Sequence, residues 1–202
     1  MSLVFVENVL PDVKLGLWKI EESAETFLDE YHGLYYLKSD IGRYSSMSRR
    51  LEVLAVHALL MRMGIDGSAL CHEPSGKPYL PGGMNIGISH TKGGAAVIVS
   101  PRMKVSVDVE YASERVGRVT ERLLRNDEKA DTLLQKLLHW CTKETLYKLY
   151  SEDELALHEM QLLSIEGNDS NGIITARNVK RDETLAVSYR VVGGLVITYA
   201  TL

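Results

Sequence analysis

The segment Lys104-Val-Ser-Val-Asp-Val-Glu110 constrains this chain more than any other. Valine alternates with a polar residue, which is the period of a β-strand and not of a helix. As a strand it turns Val105, Val107 and Val109 to one side, into a core, and Ser106, Asp108 and Glu110 to the other. Two carboxylates then share a face within reach of one ligand. Side by side they repel, so a cation belongs there or one of them carries a proton. A hard divalent ion such as Mg²⁺ meets that need with oxygen ligands. A solvent-facing sheet edge with ordinary charges fits the same pattern.

His139-Trp-Cys-Thr-Lys-Glu-Thr-Leu-Tyr-Lys148 is helical in period. On that helix Glu144 shares a face with Leu137, Trp140, Cys141 and Tyr147. A carboxylate in an apolar stripe is costly unless paired or bound to metal. Lys148, one turn on, is a natural partner, and a surface Glu144–Lys148 pair is the simpler alternative.

Two further segments carry polar chemistry. Asn85-Ile-Gly-Ile-Ser-His-Thr91 reads as a strand running into the turn Lys92-Gly-Gly94. Ser89 and His90 beside glycine-rich backbone suit a phosphate. A hydrolase is disfavoured, because no G-x-S-x-G elbow is present and no acid is placed to orient the histidine. Taken alone, these residues fit a strand-end histidine with a local hydrogen bond better than either. Arg115, Arg118, Arg122 and Arg125 form one helical stripe suited to phosphates or an acidic protein. Glu114 and Glu121, each four residues before an arginine, partly neutralise it.

Along the chain, Leu15–Ile20 reads as a strand and Glu21–Tyr31 as a short helix. A longer helix begins near Ser45, a suitable N-cap. Its apolar positions are Met47, Leu51, Leu54, Ala55 and Ala58, and Gly64 ends it. Strands are expected over Met84–Ser89, Ala95–Ser100 and Lys104–Tyr111, the last two joined as a hairpin by Pro101-Arg102. Two helices follow, over Glu114–Arg125 and Asp127–Tyr150, with Asn126 capping the second. Strands return over Met160–Glu166, Gly172–Val179, Leu185–Val192 and Leu195–Tyr199, the first two separated by the turn Asn168–Gly172. This order suggests an α+β fold with mostly antiparallel sheets.

Composition narrows the function. The 202 residues are 45% hydrophobic and 25% charged, ordinary for a globular protein. The formal charge of −4 and the lack of a basic, aromatic-rich patch argue against a nucleic-acid partner. No apolar run approaches the ~20 residues that span a bilayer, and the start lacks a secretory pattern. Cys71 and Cys141 make no CxxC pair and read as reduced thiols, so a cytoplasmic protein without membrane contact is expected.

Taken together and in order, these segments resemble the 4'-phosphopantetheinyl transferase superfamily, of the surfactin-synthetase-priming type with two halves in one chain. Gly76-Lys77-Pro78 is similar to the family's G-K-P turn, and Ile88-Ser-His-Thr91 to its S-H-S/T strand end. Val107-Asp-Val-Glu110 is similar to its D-x-E strand. Trp140-Cys-Thr-Lys-Glu-Thr-Leu-Tyr-Lys148 is similar to its W-x-x-K-E-x-x-x-K helix. The likeness runs from Arg49 to Tyr150. The last two motifs, in that order and at that separation, are the specific part.

The resemblance implies transfer of the phosphopantetheine arm of coenzyme A to a serine of an apo acyl or peptidyl carrier protein. Such enzymes prime fatty-acid, polyketide and nonribosomal peptide synthesis. Asp108, Glu110 and Glu144 would hold Mg²⁺. Lys77, Ser89 and His90 would hold coenzyme A phosphates, Lys148 would touch the phosphate side, and Arg50 or Arg49 would add a further cation. Asp108, Glu144 and Lys148 would carry the chemistry, with Glu144 accepting the serine proton. The implied architecture is two similar α/β halves, 1–101 and 102–202, related by a pseudo-two-fold, with the active site in the cleft between them. A monomer is expected. The chain departs from the family pattern at Ser106, where glycine is usual, and at His57, where the early helix often carries arginine. Two alternatives stay open: on account of Ser106 a non-catalytic coenzyme A-binding homologue, and from the three carboxylates a metal-dependent phosphohydrolase.

Overall fold

The computed structural model describes residues 2–120 and 122–202, with residues 115, 117 and 118 described through their backbone alone. The chain forms two compact units, Met1–Met103 and Lys104–Leu202, so the division falls two residues beyond the expected one. Each unit pairs an antiparallel sheet with a long helix, which makes the fold α+β. No helix among the described residues is long and apolar enough to cross a membrane.

The first unit opens with a hairpin, β1 (Leu3–Leu10) and β2 (Val13–Lys19). Only the second of these strands is expected from sequence. Their turn uses Pro11, which fixes its own φ, and Asp12, which adopts a left-handed φ of 63°. Short helices α1 (Ala24–Glu30) and α2 (Lys38–Gly42) lead to α3 (Met47–Arg62). Ser46, one residue past the expected cap, accepts the Arg49 amide at 3.3 Å. Gly64, at φ 79°, ends the helix. Leu54, Ala55 and Ala58 are fully buried against the sheet, whereas Met47 is exposed. The helix runs so close to β2 that a Cβ on Gly16 would stand 2.7 Å from Met63 and 2.8 Å from Leu59. A two-residue pair, β3 (Cys71–His72) and β4 (Pro78–Tyr79), precedes β5 (Asn85–Thr91) and β6 (Gly94–Ser100). The sheet order is β1-β2-β6-β5.

The second unit begins with β7 (Val105–Tyr111), then α4 (Glu114–Thr120) and α5 (Leu133–Leu149). Four strands complete it: β8 (Met160–Gly167), β9 (Asn171–Asn178), β10 (Glu183–Val192) and β11 (Leu195–Thr201). The sheet order is β7-β11-β10-β9-β8, and α5 packs on one face of it. Leu137, Cys141, Leu146 and Leu149 of α5 meet Ile174, Ala176, Val187 and Val196 in the core.

Three sequence expectations are corrected here. Pro101-Arg102 does not close a hairpin, because β6 lies between β2 and β5 while β7 pairs with β11. The Ser100 hydroxyl accepts the amides of Arg102 (3.3 Å) and Met103 (3.0 Å), turning the chain on a side chain rather than on a strand partner. The long helix starts at Leu133 and not near Asp127. Thr132 caps it, and Gln135 reaches back to the Thr132 amide at 3.1 Å, a reciprocal pair that Asn126 does not have. Helix α4 is accordingly short, and Glu121 and the side chains of Arg115 and Arg118 lie outside the described residues. Arg125 binds Asp127 at 2.9 Å and the carbonyl of His158, so it does not extend a helical stripe.

Candidate active site

In the second unit the chemistry gathers where β7 meets α5. Strand alternation turns Ser106, Asp108 and Glu110 toward the helix, so the polar face of β7 is the one α5 covers. Val107 and Val109 on its other face are buried as well. Lys148 Nζ donates to Asp108 Oδ1 at 2.6 Å and to the Val107 carbonyl at 3.2 Å. Two helical turns before, the Trp140 indole N–H donates to Glu110 Oε1 at 3.0 Å. Ser106 Oγ donates to the Thr145 carbonyl at 2.9 Å, and Thr145 meets Thr198 of β11 at 2.7 Å. Each polar position of the strand is thus bonded to the helix.

Electrostatics at this corner are dominated by negative charge. Burial raises the pKa of Glu144, and the carboxylates of Asp108 and Glu110 raise it further, while Lys148 opposes them. Cys141 is fully buried, and its thiol is pushed well above the ordinary range by burial first and by Asp108 next. It is an inert thiol. Lys148 lies on Asp108 and not in the simple surface pair with Glu144 that the helix period also allowed. Three carboxylates against one ammonium leave a net negative field of oxygen donors, which suits a hard cation in kind. They are not closed into a cage: among the described residues no group of three acidic, histidine or cysteine side chains is arranged to hold a metal ion.

Lys143, the lysine of the same helix motif, does different work. It is buried, and its ammonium contacts Glu128 Oε2 at 2.7 Å and the Leu123 carbonyl at 3.1 Å. The other oxygen of Glu128 accepts the Leu162 amide at 2.8 Å. This pair ties the segment before α5 to the helix and to β8. In sequence Glu128 reads as a first-turn acid of the helix, which hides it.

The first unit contains a cavity of about 800 Å³ flanked by α3, β5 and the Gly76-Lys77-Pro78 turn. Arg49, Glu52 and His90 line it together, as do Gly76 and Pro78. Gly76 has a left-handed φ of 88°, which glycine adopts without strain. His90 Nδ1 lies 3.1 Å from Glu52 Oε2, and its Nε2 contacts the Arg49 guanidinium. Ser48 Oγ donates to Glu52 Oε1 at 2.9 Å. Arg50 donates instead to the Tyr44 carbonyl at 2.7 Å, so of the two neighbouring arginines it is Arg49 that meets His90. Ser89 is buried, and Lys77 is half-buried in the turn.

Also lining the cavity, Tyr36 Oη and His57 Nδ1 are 2.6 Å apart. Burial first and His72 second push the His57 pKa down to about 4, so this imidazole is neutral at neutral pH. The mid-helix position that carries arginine in many members of the resembled family is here a neutral hydrogen-bonding group. Gly67 leaves room for the pair, since a Cβ there would stand 2.7 Å from Tyr36 Oη and 2.8 Å from His57 Nδ1.

No protein-family model matches the chain, and no curated protein matches it either.

Sequence reasoning missed Glu52 and Glu128. Glu52 carries a detectable signal, because Ser48 and Arg49 sit four and three residues before it on one helix face.

Proposed function

We propose that the protein is a 4'-phosphopantetheinyl transferase that moves the phosphopantetheine arm of coenzyme A to a serine of an apo acyl or peptidyl carrier protein. One observation carries this reading. The D-x-E strand and the W-x-x-K-E-x-x-x-K helix, recognised separately in sequence, are bonded motif to motif through Asp108–Lys148 and Glu110–Trp140. Topology supports it. In each unit the strand before the main helix pairs with the unit's last strand (β2 with β6, β7 with β11), and the penultimate strand lies beyond. Two halves with a common plan would show this pattern, and a pseudo-two-fold between them is part of the proposal.

The reaction forms a bond from the serine hydroxyl oxygen to the β-phosphorus of coenzyme A. The bond from that phosphorus to the bridging oxygen breaks, and adenosine 3',5'-bisphosphate leaves. Glu144 accepts the serine proton; burial and neighbouring acids raise its pKa, which makes it a stronger base than a surface carboxylate. Lys148 offers a positive charge beside the diphosphate. Asp108, Glu110 and Glu144 would hold Mg²⁺, which when bound neutralises charge on the diphosphate. In the first unit Lys77, Ser89, His90 and Arg49 serve coenzyme A phosphates, with Arg49 in preference to Arg50. Ser106 gives little support to a non-catalytic homologue, because its hydroxyl is bonded to the Thr145 carbonyl.

The test is direct. The protein is mixed with coenzyme A, Mg²⁺ and apo carrier proteins, and the carriers are weighed by mass spectrometry. A gain of one phosphopantetheine, lost in Asp108→Ala, is expected. No gain on any carrier of the source genome overturns the reading.

A further inference from the structure

Glu52 is a buried carboxylate on α3, and the reaction proposed above gives it no part. Its two oxygens are both engaged: Oε1 accepts the Ser48 hydroxyl, and Oε2 lies 3.1 Å from His90 Nδ1. That contact fixes the histidine tautomer, with the proton on Nδ1 and Nε2 as the edge beside Arg49. The Arg49 guanidinium lies against Nε2 and 3.5 Å from Glu52 Oε2, so the ring sits between a cation and a carboxylate.

We propose that Glu52 is a positioning residue that holds His90 as an imidazolium once an anionic phosphate enters this cavity, so that phosphate binding takes up a proton from solvent. The phosphate neutralises Arg49 and accepts from Nε2. With a carboxylate at Nδ1 and an anion at Nε2, the charged ring becomes the favoured form. The proton comes from buffer and ends on Nε2. The other titratable groups lining the cavity do not substitute for it. Asp40 pairs with Arg43 at 3.4 Å, the His57 pKa is depressed to about 4, and that of Tyr36 is raised to about 12. His72 is exposed, on the other side of the hairpin turn from Lys77. The inference rests on the cavity serving coenzyme A phosphates.

The test titrates the full chain with adenosine 3',5'-bisphosphate in a calorimeter at pH 7.5, in buffers of different ionisation enthalpy. The slope of heat against that enthalpy counts the protons taken up. Wild type is expected to take up about half a proton, and Glu52→Gln less than half of the wild-type value. The ligand's own titration is common to both proteins. A Glu52 that only stabilises the fold would weaken binding and leave the count unchanged, which overturns the proposal. Should Glu52→Gln fail to fold, His90→Gln, which cannot take a proton, must show the same loss. Carrier modification is measured alongside. Transfer with equal counts in all proteins overturns the role of Glu52 alone. Proton uptake lost in the variants, but without transfer, overturns the transferase reading alone. No nucleotide binding overturns both.

Discussion

The ammonium of Lys148 lies 2.6 Å from Oδ1 of Asp108, across 40 residues of chain. It anchors the helix to the strand and supplies the positive charge nearest the acids. Lys148→Ala leaves a buried carboxylate with one donor fewer, so unfolding free energy is expected to fall by about 1–3 kcal/mol in urea titration. Transfer is expected to fall on the order of 10²–10³-fold, because the charge proposed to face the diphosphate is gone. A variant that loses stability and keeps full turnover would remove Lys148 from the chemistry.

Glu144 sets a pH dependence of known sign. Burial and the neighbouring acids raise its pKa in the folded protein above the ordinary 4.5. The folded state therefore holds this proton more tightly than the unfolded chain does. The stabilisation is complete below the unfolded value and is lost as pH rises through the raised one. Glu144→Gln is expected to raise Tm at pH 8, on the order of 2–4 °C, with no gain at pH 4. Thermal scans across that range without added metal check it. Turnover should be lost in the same variant.

Ser106 is a structural serine. Its hydroxyl joins the Thr145 carbonyl at 2.9 Å inside the sheet–helix packing. Ser106→Gly, which restores the residue usual in the resembled family, is expected to cost about 1–2 kcal/mol through the lost bond and added backbone freedom. Transfer at saturating Mg²⁺ should change by less than about threefold. A large gain in turnover would mean that the serine obstructs the metal face.

The Glu128–Lys143 pair is buried on both sides and contributes no group to the proposed reaction. Lys143→Met strands a buried carboxylate, and a loss of about 3–5 kcal/mol is expected by chemical denaturation. Adding Glu128→Gln should recover part of it. An additive double variant would show that the two do not interact.

The residues of the β7–α5 corner are legible in sequence because strand and helix each advertise their faces by period. Alternation picked out Asp108 and Glu110, and one helical turn related Trp140, Glu144 and Lys148. What the period does not carry is pairing at a distance. Pro101-Arg102 has turn chemistry, yet β7 pairs with residues far down the chain. Asn126 and Thr132 are both competent caps, and only the side chain of Gln135 reaching back decides between them. Glu128 binds Lys143 in the middle of α5 and the Leu162 amide of β8, and does not serve as a first-turn acid of the helix. Glu52 meets His90 from a different element, with no spacing rule to announce it. Strand β1 mixes apolar and polar residues without clean alternation, so it escapes a reading by period.

Strand β11 binds β7 along its whole length, with Thr198 opposite Asp108 and Val196 opposite Glu110. During synthesis, therefore, the ribosome releases both acids and the α5 residues that bond them well before it makes the ladder partner that seats them. A nascent chain stalled before Leu195 would carry every proposed catalytic side chain and still lack the neighbour that aligns them.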